Sequence, residues 1–349
     1  MTERRIAVIP GDGIGREGMP VAVDLLRAAT AGGGVELRFD DYPWGCDYYL
    51  AEGAMMPADG LDRLKPHDAI LLGAVGDPAR VPDHVSLWGL LIAIRRGFGQ
   101  TINLRPARFL EGMRSPLREP AAFDLVVVRE NSEGEYSQVG GLVGEGEDEA
   151  AIQVSVFTRR AVAAAARFAF ELARLRRHSL TSATKSNAIV HAMSFWDRIV
   201  SEVGAGYPDV ALRSVHLDAL LALLVRGPEA FDVIVASNLF GDLLTDLAGA
   251  LMGSIGVAPA ANLDPTRRNP SMFEPVHGSA PDIAGRGVAN PIGQAWTGVL
   301  MLDHLGLEEP ASRLMTAIEG TIRDGDVTPD MGGNLGTDEV GRRIRARLR

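Results

Sequence analysis

At 349 residues, 46% hydrophobic and 23% charged, the chain has an ordinary soluble composition and the length for two packed domains with separate cores. A formal charge of −10 argues against an extended nucleic-acid surface, and the single cysteine, Cys46, rules out an intrachain disulfide and a multi-cysteine zinc site. The first residues lack the pattern of a secretory signal and no apolar run is long enough to span a bilayer, so the expectation is a cytoplasmic protein with no membrane or nucleic-acid partner.

In chain order, the first predicted element is a strand over "IAVI", then a glycine turn, then a helix over "GREGMPVAVDLLRAA". Gly13, Gly15 and Gly18 satisfy G-x-G-x-x-G, and Glu36 or Asp40 stands where a ribose-binding acid would be sought. Strand-to-helix turns also use glycine for steric reasons alone, so both readings stay open here. Further strands are predicted at "VELRF", "DAILLGAV", "DLVVVRE", "SLTSAT", "VALRSVHL" and "DVIVASN". Helical stretches separate several of them, and "RRAVAAAARFAFELARLRR" has the clearest apolar face. The alternation predicts an α/β fold. "GGLVGEGEDEAAIQVSV" reads as an exposed glycine-acid turn between two extended arms. Residues that look placed for chemistry concentrate between "GQTINLRP" and "DLAGALMGSIG", which suggests a second domain inserted into the first, with both termini in the outer one.

Asp242 and Asp246 lie four apart in "NLFGDLLTDLAG", on one side of a predicted helix. They are either two acids on a solvated face or a pair that shares a divalent cation. Asp218, in the otherwise apolar "SVHLDALLALLV", is a candidate third ligand, and an all-oxygen set suits Mg2+ or Mn2+. Arg95, Arg105 and Arg129 are each a salt-bridge partner if alone, and together a set of planar forks for a dianionic acid. Tyr136, expected on a loop just beyond the Arg129 strand, is a proton donor or the cap of a core. Lys185, where a strand gives way to a helix, is a base or a helix-start lysine. No two histidines have metal-ligand spacing; His277 differs from the others in lying within "FEPVHGSAPDIAGRGVANP", an irregular stretch of the kind that wraps a ligand.

Taken together, "PGDGIG", "NLRP", "VVVREN-x-EG-x-Y", "ATKSN", "SNLFGDLLTD" and "EPVHGSAPDIAGRGVANP" resemble the β-decarboxylating dehydrogenases, in order, from residue 6 to about residue 340. The resemblance implies an isopropylmalate dehydrogenase-like two-domain α/β fold, distinct from the Rossmann fold. Residues 1–99 plus 256–349 would form the outer α/β domain carrying the cofactor loop. Residues 100–255 would form the inserted α/β domain, with dimer interface, arm and metal-binding acids. In that family the N-terminal glycine turn is not a phosphate loop, and the cofactor lies against the loop that begins at His277. Asn187, His277, Gly278, Ser279, Ala280, Asp282 and Asn290 are therefore the cofactor-binding residues implied. Asp282 stands where NADP-using relatives carry a lysine, and a carboxylate repels a 2'-phosphate, so the cofactor implied is NAD. Arg95, Arg105 and Arg129 match the substrate-carboxylate triad, Tyr136 and Lys185 the acid-base pair, and Asp218, Asp242 and Asp246 the ligands of Mg2+ or Mn2+, with a monovalent cation such as K+ as a further ion. Lys185 and Asp218 would reach in from the second subunit of a homodimer.

Specificity is expected in "VPDHVSLWGLLIAIRR", which resembles the tartrate/D-malate branch, with Trp88 and Leu91 facing the variable part of the substrate. The reaction implied is NAD-dependent oxidative decarboxylation of D-malate to pyruvate and CO2, with tartrate oxidation beside it. The alternative is 3-isopropylmalate, because a methylene in an apolar pocket is worth only about 1–3 kcal/mol. A catalytically silent NAD- or acid-binding subunit is a minor alternative, disfavoured by the presence of every residue of the proposed machinery.

Overall fold

A computed structural model describes residues 2–119 and 122–348. Its strands are β1 (Thr2–Gly11), β2 (Val35–Asp41), β3 (Ala69–Ala74), β4 (Ile102–Arg108), β5 (Asp124–Glu130), β6 (Gly134–Val143), β7 (Ala150–Val156), β8 (Ser179–Thr184), β9 (Ala211–His216), β10 (Val233–Ala236), β11 (Pro259–Leu263) and β12 (Ser271–Pro275). Two compact units emerge: Met1–Gln100 with Pro106–Ala122 and Gly249–Arg349, and Thr101–Arg105 with Phe123–Ala248.

In the first unit the strand order is β2-β1-β3-β12-β11. β1 pairs in parallel with β2 and β3, β12 in parallel with β3, and β11 is antiparallel to β12. β3, "AILLGA", is buried at every residue, which is why it reads as an unbroken apolar run rather than an alternating one. The helix Gly15–Thr30 buries Met19, Ala22, Leu25, Leu26 and Ala29, an apolar stripe at helical spacing.

The structure answers the question raised by the first glycine turn. A side chain at Gly13, where φ is +51°, would meet the Ser279 carbonyl oxygen at 2.0 Å, and one at Gly15 would meet the Pro10 oxygen at 2.4 Å. These glycines permit close backbone packing, and the Ile14 N–H already donates to the Ser279 oxygen at 2.8 Å. Asp40 is no ribose ligand: it accepts from Arg5 at 2.6 Å and faces His67 Nε2 at 3.0 Å. Cys46 is fully buried, and burial and Asp12 push its thiol up to about 12. The native protein is therefore expected to resist a disulfide reagent at pH 8 and to react once denatured; rapid native labelling would contradict that burial.

In the second unit β4 lies beside β5 and the order continues β5-β10-β8-β9, with β10 parallel to both β5 and β8, and β8 parallel to β9. The helix Arg159–Arg174 is capped by Thr158, whose hydroxyl accepts the Ala161 N–H, and buries Val162, Ala165, Ala166, Ala169 and Phe170. β6 and β7 form a separate antiparallel ribbon joined by a short turn at Gly146–Asp148. Val139, Leu142, Val143, Ile152, Val154 and Val156 are all exposed on this ribbon. No helix among the described residues is long and apolar enough to cross a membrane.

Candidate functional site

The second unit brings five of the expected residues together around the helix Asn238–Met252. Asp242 is their hub. Its Oδ1 accepts from Arg105 Nη1 at 3.0 Å and from Arg129 Nη1, and its Oδ2 accepts the Tyr136 hydroxyl at 3.0 Å. Arg105 also donates to Asn103 at 2.6 Å and to Thr245 at 2.7 Å, while two nitrogens of Arg129 reach Asn238 Oδ1 at 2.8 and 3.0 Å. The Arg129 stem packs where a Gly241 side chain would be, 2.7 Å from that imagined carbon, so the glycine lets strand and helix approach.

Charge follows from this geometry. Burial works to raise the Asp242 carboxyl, yet the charges of Arg129 and Arg105 hold it below the usual range. Burial and the Asp242 charge push the Tyr136 hydroxyl up, so it stays protonated and able to donate. Asp246, one turn along, is raised by burial and by the Asp242 charge. A cation between the two carboxylates would relieve that repulsion, and their hard oxygen donors fit a divalent ion. Among the described residues no three His, Cys, Asp or Glu side chains gather to hold a metal within the chain. Asp218 instead pairs with Lys185 at 2.8 Å, and that hydrogen bond holds its carboxyl below the ordinary range.

Tyr136 lies in β6, not on the expected loop. The pairing register of β6 with β7 shifts between Gly134 and Val139, so the tyrosine stands in an irregular stretch where the strand can turn its ring out of the ribbon. Three acids around it escaped the sequence reading. Glu130 accepts the N–H groups of Ser132 at 2.9 Å and Glu133 at 3.1 Å; Glu133 accepts the Thr158 hydroxyl at 3.0 Å. Glu135 accepts Ser237 Oγ at 2.7 Å and the Leu239 N–H at 3.1 Å, capping the Asp242 helix beside the tyrosine. The signal was present as the acid-rich "ENSEGEY", but nothing local says which element each acid grips. Asn187 and His191 are exposed beyond β8.

The first unit holds the others. Arg95 donates to Glu274 on β12 at 2.5 Å, a carboxylate also bonded by Asn262 at 2.8 Å, and Arg95 Nε is buried without a partner. Trp88 belongs to a π turn, Leu87–Leu91, and the Arg96 guanidinium lies 4.7 Å from its ring centre. Leu91 closes that turn and packs against the core with Leu90 and Ile94. The loop after β12 carries His277, Gly278, Ser279, Ala280, Asp282 and Asn290. His277 Nδ1 lies 3.0 Å from the Gly278 oxygen, its Nε2 is buried without a partner, and burial pushes the ring toward its neutral form. Ala280 is held at φ +41°, Asp282 is exposed, and Asn290 donates to Asp330 at 2.9 Å. An orphaned imidazole nitrogen and, five residues on in the same loop, an exposed carboxylate fit the polar edge of a nucleoside.

Residues 5–344 match the family described as isocitrate/isopropylmalate dehydrogenase. The chain is 56% identical over 350 residues to a probable tartrate dehydrogenase/decarboxylase of Bacillus subtilis, spanning 100% of this chain and 99% of that protein. It is 51% identical to a D-malate dehydrogenase (decarboxylating) of Escherichia coli over 97% of each. The crystal structure of an isocitrate dehydrogenase from Methylococcus capsulatus aligns with a TM-score of 0.90 at 32% identity, covering 99% of both chains.

Proposed function

The chain belongs to the isocitrate/isopropylmalate dehydrogenase family, enzymes that oxidise and decarboxylate a 2-hydroxy acid bearing a second carboxylate, and within it we propose an NAD-dependent, divalent-metal-assisted oxidation and decarboxylation of D-malate to pyruvate and CO2, with tartrate as a further substrate. The observation that carries this reading is the convergence of two arginine forks and a protonated tyrosine on one carboxylate, Asp242. Such a set is built to grip carboxylates, and the relatives' names, tartrate dehydrogenase/decarboxylase and D-malate dehydrogenase, supply the acid.

Arg105 and Arg129, with Arg95, hold the carboxylate that will leave. The Lys185 end of the network takes the proton of the 2-hydroxyl as the C2 hydride departs. When the bond from C3 to the leaving carboxylate breaks, its electron pair enters the C2–C3 enolate, and Tyr136 delivers a proton to C3 to give pyruvate. The His277–Asp282 loop would hold NAD, which would supply the hydride acceptor, and Asp242 and Asp246 with Asp218 of a second copy would hold Mg2+ or Mn2+, which would supply Lewis acidity. The apolar residues exposed on the β6–β7 ribbon, together with Leu223, Val225 and Leu243, favour a homodimer that covers them. We place the enzyme in the cytoplasm, where NAD and small dicarboxylic acids are available. Trp88, with the Arg96 guanidinium over its ring, would consume volume that a branched alkyl group needs, which supports hydrogen at the variable position.

Side-by-side kcat/KM values for D-malate, L-tartrate, meso-tartrate, 3-isopropylmalate and isocitrate, with NAD or NADP and Mn2+, test the reading. D-malate with NAD is expected to lead, and turnover is expected to vanish after chelation. A lead for 3-isopropylmalate would move the chain to the other branch, and equal use of NADP would remove the role given to Asp282.

A further inference from the structure

The irregular loop between β12 and the helix Ile292–His304 has backbone amides that need partners, and what satisfies them fixes its shape. Two of them, Gly285 and Gly287, donate to the two carboxylate oxygens of a single side chain, Glu17, the second at 3.0 Å. Both glycines have positive φ, +77° and +65°, and at neither would an added Cβ meet any atom within 4 Å. No side-chain packing is available at either glycine, so the Glu17 carboxylate is what satisfies these two amides, and bonds to an ionised carboxylate are the strong kind. Upstream, Ser279 is anchored by the Ile14 N–H at 2.8 Å, from the same glycine turn that presents Glu17. Downstream, the Gly287 oxygen accepts the Thr337 N–H at 2.9 Å and the Ala289 oxygen accepts the Thr337 hydroxyl at 2.7 Å. Asp282 lies between the anchor at Ser279 and the one at Glu17, in a turn closed by the Ile283 and Ala284 N–H groups on the Ala280 oxygen at 3.1 and 3.2 Å.

We propose that Glu17 is a positioning residue for cofactor binding: its carboxylate clamps the Gly285–Gly287 segment and so sets where Asp282 and its neighbours stand against the nucleoside end of NAD. The inference rests on the reading that this loop takes NAD. It gives the glycine turn "GDGIGREG" a task other than phosphate binding, namely to hold in place a loop more than 260 residues away in sequence.

Glu17→Ala and Glu17→Gln in the full-length protein test this through three readouts: amide hydrogen exchange of the cofactor-free protein, equilibrium NAD binding, and steady-state kinetics. For Glu17→Ala, loss of two charge-assisted bonds is expected to speed exchange at Gly285 and Gly287 and to raise the NAD Kd and KM, each by about tenfold or more. The kcat at saturating NAD and the KM for the acid should stay within about twofold, a split that general destabilisation would not produce. Glu17→Gln, which keeps one acceptor oxygen, should fall between. A folded Glu17→Ala protein with unchanged loop exchange and NAD affinity would overturn the clamp, as would a loss confined to kcat. If the wild-type protein does not bind NAD, the cofactor reading and the positioning role fall together, while faster loop exchange in the variant would still establish the clamp as a purely structural one.

Discussion

Asp242→Ala is expected to lower kcat by about a thousandfold or more and to destabilise the protein by about 3 kcal/mol, the cost of leaving buried charge without its partner. Side chains of Arg105 and Arg129 are only 9% and 4% exposed, and both donate to Asp242 Oδ1. Removing that carboxylate takes one carboxylate partner from each of two guanidiniums, and Asn103, Thr245 and Asn238 still accept from them. Urea unfolding and steady-state kinetics read the two effects separately. A dicarboxylate added to the variant should restore part of the lost stability, because it supplies the missing carboxylate to the same forks. The pH dependence has a definite sign. Since the Asp242 carboxyl lies below its ordinary value in the folded state, its contribution is fully present above about pH 4 and is lost as pH falls through the depressed folded value. Asp242→Asn should flatten that part of the acid-unfolding curve. A variant as stable as the wild type at neutral pH would refute the hub role.

A mixture of inactive Lys185→Ala and Asp242→Ala chains is expected to regain activity on subunit exchange, to on the order of a quarter of the wild-type rate, because half the dimers are mixed and each mixed dimer holds one intact site. The expectation rests on the proposed homodimer, in which Lys185 and Asp218 serve the Asp242 of the other copy. Within one chain these two residues pair with each other at 2.8 Å and do not join Asp242 and Asp246 in a ligand set. Exposed apolar side chains on β6 and β7 give the second copy a surface to cover. Verified exchange with no recovered turnover would show that each chain builds its own site.

Much of the site was legible as residue types. "SNLFGDLLTD" puts Asp242 and Asp246 one turn apart by helical spacing alone, and "DLVVVRE" carries Arg129 near the end of a buried strand. What spacing could not give was the partner of each charge. Arg105, Arg129 and Tyr136 meet Asp242 across 137, 113 and 106 residues, and only the folding that brings β4, β5 and β6 to the helix makes them neighbours. Glu274 and Asn238 sat inside quoted motifs, yet their work, orienting Arg95 and Arg129, has no local signature.

The sequence by itself determined the α/β alternation and the course of its buried strands, because an unbroken apolar run such as "AILLGA" is stable only with both faces of a parallel sheet covered. It determined, through helical periodicity, which face of Gly15–Thr30 and of Arg159–Arg174 turns inward. Tertiary structure alone decided the meaning of the first glycine turn. G-x-G-x-x-G is compatible with a phosphate cradle or with tight packing, and the choice depends on what lies against it. Here the Ser279 carbonyl fills the space over Gly13, and Glu17 reaches two amides of the same distant loop. Hydrogen-bond partners brought together by chain topology have no period and no spacing, so only the folded molecule could assign them.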